Sequence, residues 1–153
     1  VIKEKRRPDS SYCSFCARLK RGVLYTLAQR FRCNKLALGY HLDDFIETLL
    51  MNQFFVGSLK AMAPRMLADN GVTTVIRPLV YVEERDIIPF SRDNNFPVVC
   101  CCCPACGVAD QKRKRMKRLL HELEREIPFV KRSLLKSLAN VHPRHLLDAE
   151  LKK

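Results

Sequence analysis

No apolar run approaches the roughly 18–20 residues that a membrane-spanning helix needs, so no membrane partner is expected. The first residues, "VIKEKRRPDSSYC", hold no apolar leader of the signal-peptide kind, and a cytoplasmic location is expected. They do not begin with Met; a start on Val reads as a processed, excised or truncated chain. Glycine is scarce, 5 residues of 153, while 47% of the chain is hydrophobic. That composition supports one compact domain with a proper core and leaves too little for two. Internal repeats and low-complexity segments are absent, apart from one run of cysteines. Acidic residues are few: 16 Asp and Glu against 28 Lys and Arg, a formal charge of +12. Such a surplus suits an anionic partner, most simply nucleic acid, although a solvated basic surface would carry the same charge.

Cysteine is what the chain has in excess. There are eight, and five of them fall in "PVVCCCCPACG", as Cys100 to Cys103 and Cys106. With no export signal, this count reads as metal or redox chemistry rather than a disulfide framework.

Along the chain, "SFCARLKRGVLYTLAQRF" carries Phe15, Leu19, Val23, Leu24, Leu27 and Phe31 at the spacing of an amphipathic helix. The short apolar run Leu36 to Leu38, ending at Gly39, fits a buried strand, and Cys33 beside it is expected to be a buried, inert thiol. "LDDFIETLLMNQFF" returns to helical period, with two aspartates in its first turn. Residues 57–72 read as a loop, "TTVIRPLVYV" as a strand until Pro78, "EERDIIPFSRDN" as a short helix despite Pro89, and "FPVV" as a short extended segment. Beyond Gly107, Met116, Leu119, Leu120, Leu123 and Ile127 form one stripe, with Lys114, Arg115, Lys117 and Arg118 largely off it; a further short helix spans roughly Phe129 to Leu138. This alternation is that of an open α/β sheet with mostly parallel strands, whose ligands sit at the carboxyl ends of strands. Gly39-Tyr40-His41-Leu42-Asp43-Asp44 lies at such an end.

Two C-x-x-C pairs, Cys13 with Cys16 and Cys103 with Cys106, are a strong metal signal, and four-thiolate zinc is its default form. The long separation of the pairs and the surplus thiols weaken that reading. A cluster held by three cysteines, which leaves one iron open, and a redox pair are the other two. Asp43 and Asp44 are either helix-end charges, each worth a few tenths of a kcal/mol up to ~1, or hard oxygen ligands for Mg²⁺, with Glu47 one turn on. His41 is a ligand, a proton carrier or an ordinary loop residue; His142 and His145 read as structural or tail residues. "QKRKRMKR", with "KEKRR" and "RLKR" near the other cysteine pair, would ring a converged site with cations, and phosphate-backbone binding is the natural use of that charge.

"CSFCARLKRGVLYTLA", "KLALGYHLDDFIETLLMNQFFVG", "IRPLVYVEERDI" and "FPVV…C", in this order, resemble the tRNA 2-thiocytidine synthetases of the PP-loop ATPase superfamily, relatives of the archaeal-type 2-thiouridine synthetases. The resemblance runs from about Tyr12 to Cys106. It implies a Rossmann-like sheet of the adenine nucleotide alpha hydrolase type, incomplete at its N-terminus, over 1–106, followed by a basic helical extension over 107–153. It also implies ATP- and Mg²⁺-dependent adenylation of the C2 oxygen of a tRNA pyrimidine, followed by displacement of AMP by sulfur. Cys13, Cys16 and Cys103 are the implied ligands of a [4Fe-4S] cluster, with Cys100 and Cys106 as alternatives for the third. Asp44 and Lys20 are the implied catalytic residues, and Gly39, His41 and Asp43 would border the nucleotide.

Two departures stand out. The phosphate-cradling S-G-G-x-D-S loop is absent, so the 153 residues alone are expected not to hydrolyse ATP, and Tyr40 stands where that family usually has His. The expected function is tRNA-cytidine 2-thiolation in the cytoplasm, with tRNA and a sulfur donor (cysteine desulfurase or sulfide) as partners and a homodimer as an option. A 2-thiouridine synthetase, a zinc-stabilised RNA-binding module and a thiol redox protein are the competing readings.

Overall fold

The structure, a computed structural model, describes residues 12–98 and 107–147, with side chains from 15 and from 111 in the two segments. Helix α1 (Tyr12–Arg30) leads to strand β1 (Lys35–Ala37), α2 (Leu42–Val56), β2 (Arg65–Leu67), β3 (Thr74–Ile76), α3 (Glu84–Asp93), α4 (Gly107–Glu126) and α5 (Val130–Ser137), with a 3₁₀ turn at Pro143–His145. None of these helices is long and apolar enough to cross a membrane.

The exit from α1 is a backbone device that periodicity does not announce. Arg32 adopts left-handed backbone, φ 54°. Its N–H donates to Gln29 O at 3.0 Å and that of Cys33 to Ala28 O at 2.7 Å. Those are the two bonds of a Schellman turn, made here without glycine. The turn leaves Cys33 exposed rather than buried: the chain is still reversing direction there, and its thiol lies near Phe31 O instead of in a core.

Three strands form the sheet in the order β1-β3-β2. β1 and β3 are parallel, with Leu36 opposite Val75, and β2 and β3 are antiparallel, with Met66 opposite Val75. The sheet is therefore small and mixed, not mostly parallel. The third strand is also not where the sequence placed it. Residues 96–98 form no strand, whereas Arg65–Leu67, inside the expected loop, does. All three β2 residues are exposed, so no inside–outside alternation marks them. A hairpin makes the strand: Asn70 Oδ1 accepts the N–H groups of Val72 and Thr73, Gly71 takes φ 69°, and Ala68 N–H donates to Thr73 O. The partner strand ends at Ile76, short of the expected length: the N–H of Arg77 still donates across the ladder to Pro64 O, but Pro64 has no N–H to return and Pro78 follows.

The main core lies among helices. Leu42, Ile46 and Leu50 of α2 pack with Met116 and Leu120 of α4, and Leu134 and Leu135 of α5 close over them. Spacings of four on each helix place these residues on one face. Complete burial of such side chains contributes roughly 1.5–3 kcal/mol each. α3 has no buried residue and contains Pro89, so packing does not hold it in place.

Candidate active site

Between β1 and α2 the chain runs through Gly39 and Tyr40 to His41, the residue that caps α2. His41 is extended, and its N–H donates to Asp44 Oδ2 at 3.2 Å. That reach-back from the third helical residue is one arm of a capping box, and both aspartates sit where the unpaired N–H groups of a helix start favour negative charge. The helix-end role of the pair is real.

It is not their whole role. Asp43 Oδ2 accepts the N–H of Glu84 at 2.7 Å, which fixes the start of α3. Asp43 Oδ1 faces Lys131 Nζ of α5 at 3.0 Å, and Lys131 reaches Glu124 of α4 at 3.1 Å. Burial alone would raise the Asp43 pKa; His41, the Glu84 N–H and Lys131 outweigh it and hold the carboxyl well below the usual range. Burial would likewise lower the Lys131 pKa, but Asp43 and Glu124 drive it up. Both oxygens of Asp43 are thus taken within the chain.

Asp44 is more open, its side chain 17% exposed against 8% for Asp43. Arg113 of α4 lies 3.6 Å from Asp44 Oδ1 and 3.4 Å from Glu47 Oε2. Glu47 is pushed up by burial; Arg113 opposes that shift and Asp44 adds to it. The His41 pKa is raised, by Asp43 first and with help from Asp44, against the effect of burial. Its Nε2 lies 3.3 Å from Asp44 Oδ2, whereas Nδ1, 3.7 Å from Asp43 Oδ2, is buried without a hydrogen-bond partner. The 3.7 Å separation is too long for a hydrogen bond, so Asp43 acts on the ring through charge.

A cleft of ≈ 990 Å³ opens over this network, and its lining includes Asp43, Glu47 and Glu84 together with Lys114, Lys117 and Arg118. The basic run is only partly a solvated face. Lys117 pairs with Glu84, Arg113 bridges the carboxylates, and Lys112 lies 4.6 Å from the Phe55 ring centroid. Arg115 and Arg118 are exposed and enter no ion pair among the described residues.

Of the residues expected from sequence, Gly39, His41, Asp43 and Asp44 come together on one turn. Cys13, Cys16 and Lys20 share α1, and their spacing of three and four sets them on one side of it. Cys16 is a partly buried free thiol; Lys20 is exposed and makes no ion pair among the described residues. Cys103, with Cys100, Cys101, Cys102 and Cys106, lies outside the described residues. Among the described residues no group of three or more His, Cys, Asp or Glu could by itself hold a metal ion. Sequence reasoning missed Arg113, Lys131 and Glu84. Each meets the aspartates only through folding; Arg113 stood within the basic run of α4, and nothing in the sequence marked Lys131 or Glu84.

No family model matches the chain. The same fold occurs in the U34-tRNA thiolase NcsA from Methanococcus maripaludis, solved with its [4Fe-4S] cluster: TM-score 0.69, 22% identity, covering 92% of this chain and 46% of that one. That likeness defines the class as an α/β fold shared with a tRNA thiolase, here with a small mixed sheet and mostly helical. At the sequence level the similarity is far higher. The chain is 81% identical over all 153 residues to a tRNA-cytidine(32) 2-sulfurtransferase of Geobacter metallireducens, 80% over 152 residues to that of Geotalea uraniireducens, and 67% over 151 residues to that of Pelobacter propionicus. Over its whole length the chain is similar to the tRNA-cytidine(32) 2-sulfurtransferases. It spans 60% of the length of the first two relatives and 56% of the third.

Proposed function

We propose that this chain is the cysteine-bearing, tRNA-facing part of an ATP-dependent tRNA-cytidine 2-sulfurtransferase. The observation that supports it is the 81% identity to such an enzyme across the entire chain. The chemistry of the residues fits. Cys13 and Cys16 on one side of a helix, with Cys103, supply an all-thiolate donor set suited to a [4Fe-4S] cluster. When bound, a cluster with three protein thiolates supplies one iron open to an exogenous ligand.

The chain's own residues have distinct parts in this reading. Asp44, the more exposed carboxylate, is the ligand for Mg²⁺, which usually takes one or two carboxylates together with substrate phosphates. Asp43 and His41 position it: Asp43 locks α2 to α3 and α5, and His41 lies against Asp44. A Cβ added at Gly39 would meet nothing of the chain within 4 Å, so the fold does not demand glycine there and its bare backbone leaves room for a nucleotide. Lys20, on the same side of α1 as the thiols, is the cation that offsets negative charge developing on the leaving group. Arg115 and Arg118 are the charges left over to meet tRNA phosphates.

Anaerobic reconstitution tests the reading. About four irons per chain are expected, with the cluster lost in Cys13→Ala, Cys16→Ala and Cys103→Ala. Stoichiometric zinc and no iron would leave a zinc-stabilised RNA-binding module in its place.

A further inference from the structure

Arg77 directly follows β3 and is 9% exposed, yet no carboxylate pairs with it among the described residues. One terminal nitrogen, Nη1, donates to Ala63 O. Nε is buried and has no hydrogen-bond partner among the described residues. The other favourable neighbour among the described residues is an aromatic face: the guanidinium lies 5.3 Å from the ring centroid of Tyr40, three residues past the end of β1. A buried cation is costly unless an opposite charge or a full set of hydrogen bonds compensates it, and a carbonyl and a tyrosine ring provide neither. Elsewhere the chain shows what compensation looks like, since Lys131 has two carboxylates within 3.1 Å. The position adds a second indication. β1 and β3 are the parallel pair, and Tyr40 and Arg77 stand just beyond the carboxyl ends of both, where open α/β sheets receive ligands.

We propose that Arg77, backed by Tyr40, is an anion subsite that takes a phosphate group. The guanidinium fork suits a tetrahedral oxyanion, and the unused Nε–H is a donor waiting for an acceptor. Tyr40 holds the fork in place from one side. Phosphate of a mononucleotide and phosphate of an RNA backbone share this chemistry.

Thermal unfolding of the 153-residue chain tests it, with low-millimolar inorganic phosphate, AMP or a short oligoribonucleotide added at constant ionic strength. Needing neither iron nor thiolation, the test stands apart from that of the sulfurtransferase reading. Anion binding should raise the wild-type Tm by about 5 °C near saturation, and Arg77→Met should abolish the rise. AMP acting at lower phosphate concentration than the oligoribonucleotide assigns the site to a nucleotide; the reverse order assigns it to RNA. No rise with any of the three probes, or the same rise in Arg77→Met, overturns the proposal. Should Arg77→Met fail to fold, the Arg77 Nε–H resonance of ¹⁵N-labelled wild type is followed through the same titration. It should shift with saturation, and a resonance that stays in place overturns the proposal equally.

Discussion

In α2, Leu42, Phe45, Ile46, Leu49 and Leu50 are all buried, and the first turn is tied to α3, α4 and α5 through Asp43, Asp44 and Glu47. In α1, Ala28 is the one buried hydrophobic among the described residues, while Leu19, Val23 and Leu27 stand 39–60% exposed. α2 carries the candidate carboxylates and α1 the candidate thiols. The carboxylates are therefore set by packing within the chain, before any ligand arrives. The thiol helix joins the described fold chiefly where its end meets β1. Metal-ligating thiols tolerate that arrangement, because binding free energy of the metal can itself contribute order to its ligands.

The largest expected effects test this contrast directly. Ile46→Ala should cost about 3 kcal/mol by urea denaturation, whereas Val23→Ala should fall within about 0.5 kcal/mol of wild type. Equal losses would mean that α1 is packed as firmly as α2. Next comes the charge tie. Asp43→Ala removes one of two carboxylates from the largely buried Lys131 and frees the start of α3, and a loss of about 2–3 kcal/mol is expected. The companion change Lys20→Ala on α1 should leave stability unchanged.

pH probes the start of α2 more finely. The folded Asp43 pKa is lowered, so its contribution is present above the unfolded value of about 3.9 and is lost as pH falls. The folded His41 pKa is raised, so its contribution is full below the unfolded value of about 6.5 and is lost as pH rises through the folded one. Wild type should therefore exceed His41→Gln in Tm at pH 6, with the gap closing on the alkaline side; a gap independent of pH would remove the linkage. The smallest effect concerns the cations outside the network. Arg115→Gln with Arg118→Gln should weaken tRNA binding and reduce its salt slope by about two without altering the unfolding midpoint. A midpoint that falls would place these arginines among the structural charges instead.

Much of the scaffold is legible in the sequence. The stripes at Leu42, Ile46 and Leu50 and at Met116 and Leu120 foretell both the helices and the faces that meet. For α1 the stripe foretells the helix but not its surroundings, because periodicity records which face is apolar and not what covers it. Arg65–Leu67 was missed because an exposed three-residue edge strand has no pattern of its own; its hairpin turn and its partner create it. The site divides in the same way. The run from Gly39 to Asp44 is contiguous and could be read directly, whereas the pairing of Asp43 with Lys131 joins residues on different helices. Arg77 was passed over as part of a strand-like segment, since no local pattern signals that a buried guanidinium lacks a counter-ion.

The sheet also carries a history of its assembly. β2 and β3 are neighbours in the chain, joined by a tight turn that Asn70 and Gly71 hold, and a hairpin of this kind closes within microseconds. β1 reaches β3 only after α2 and the hairpin have both been laid down between them, so its pairing bears the larger loop-closure cost. Gly39 and Tyr40 hang from β1, and Arg77 from β3. The strand ends beside Tyr40 and Arg77 therefore come together at a larger entropic cost than the hairpin does.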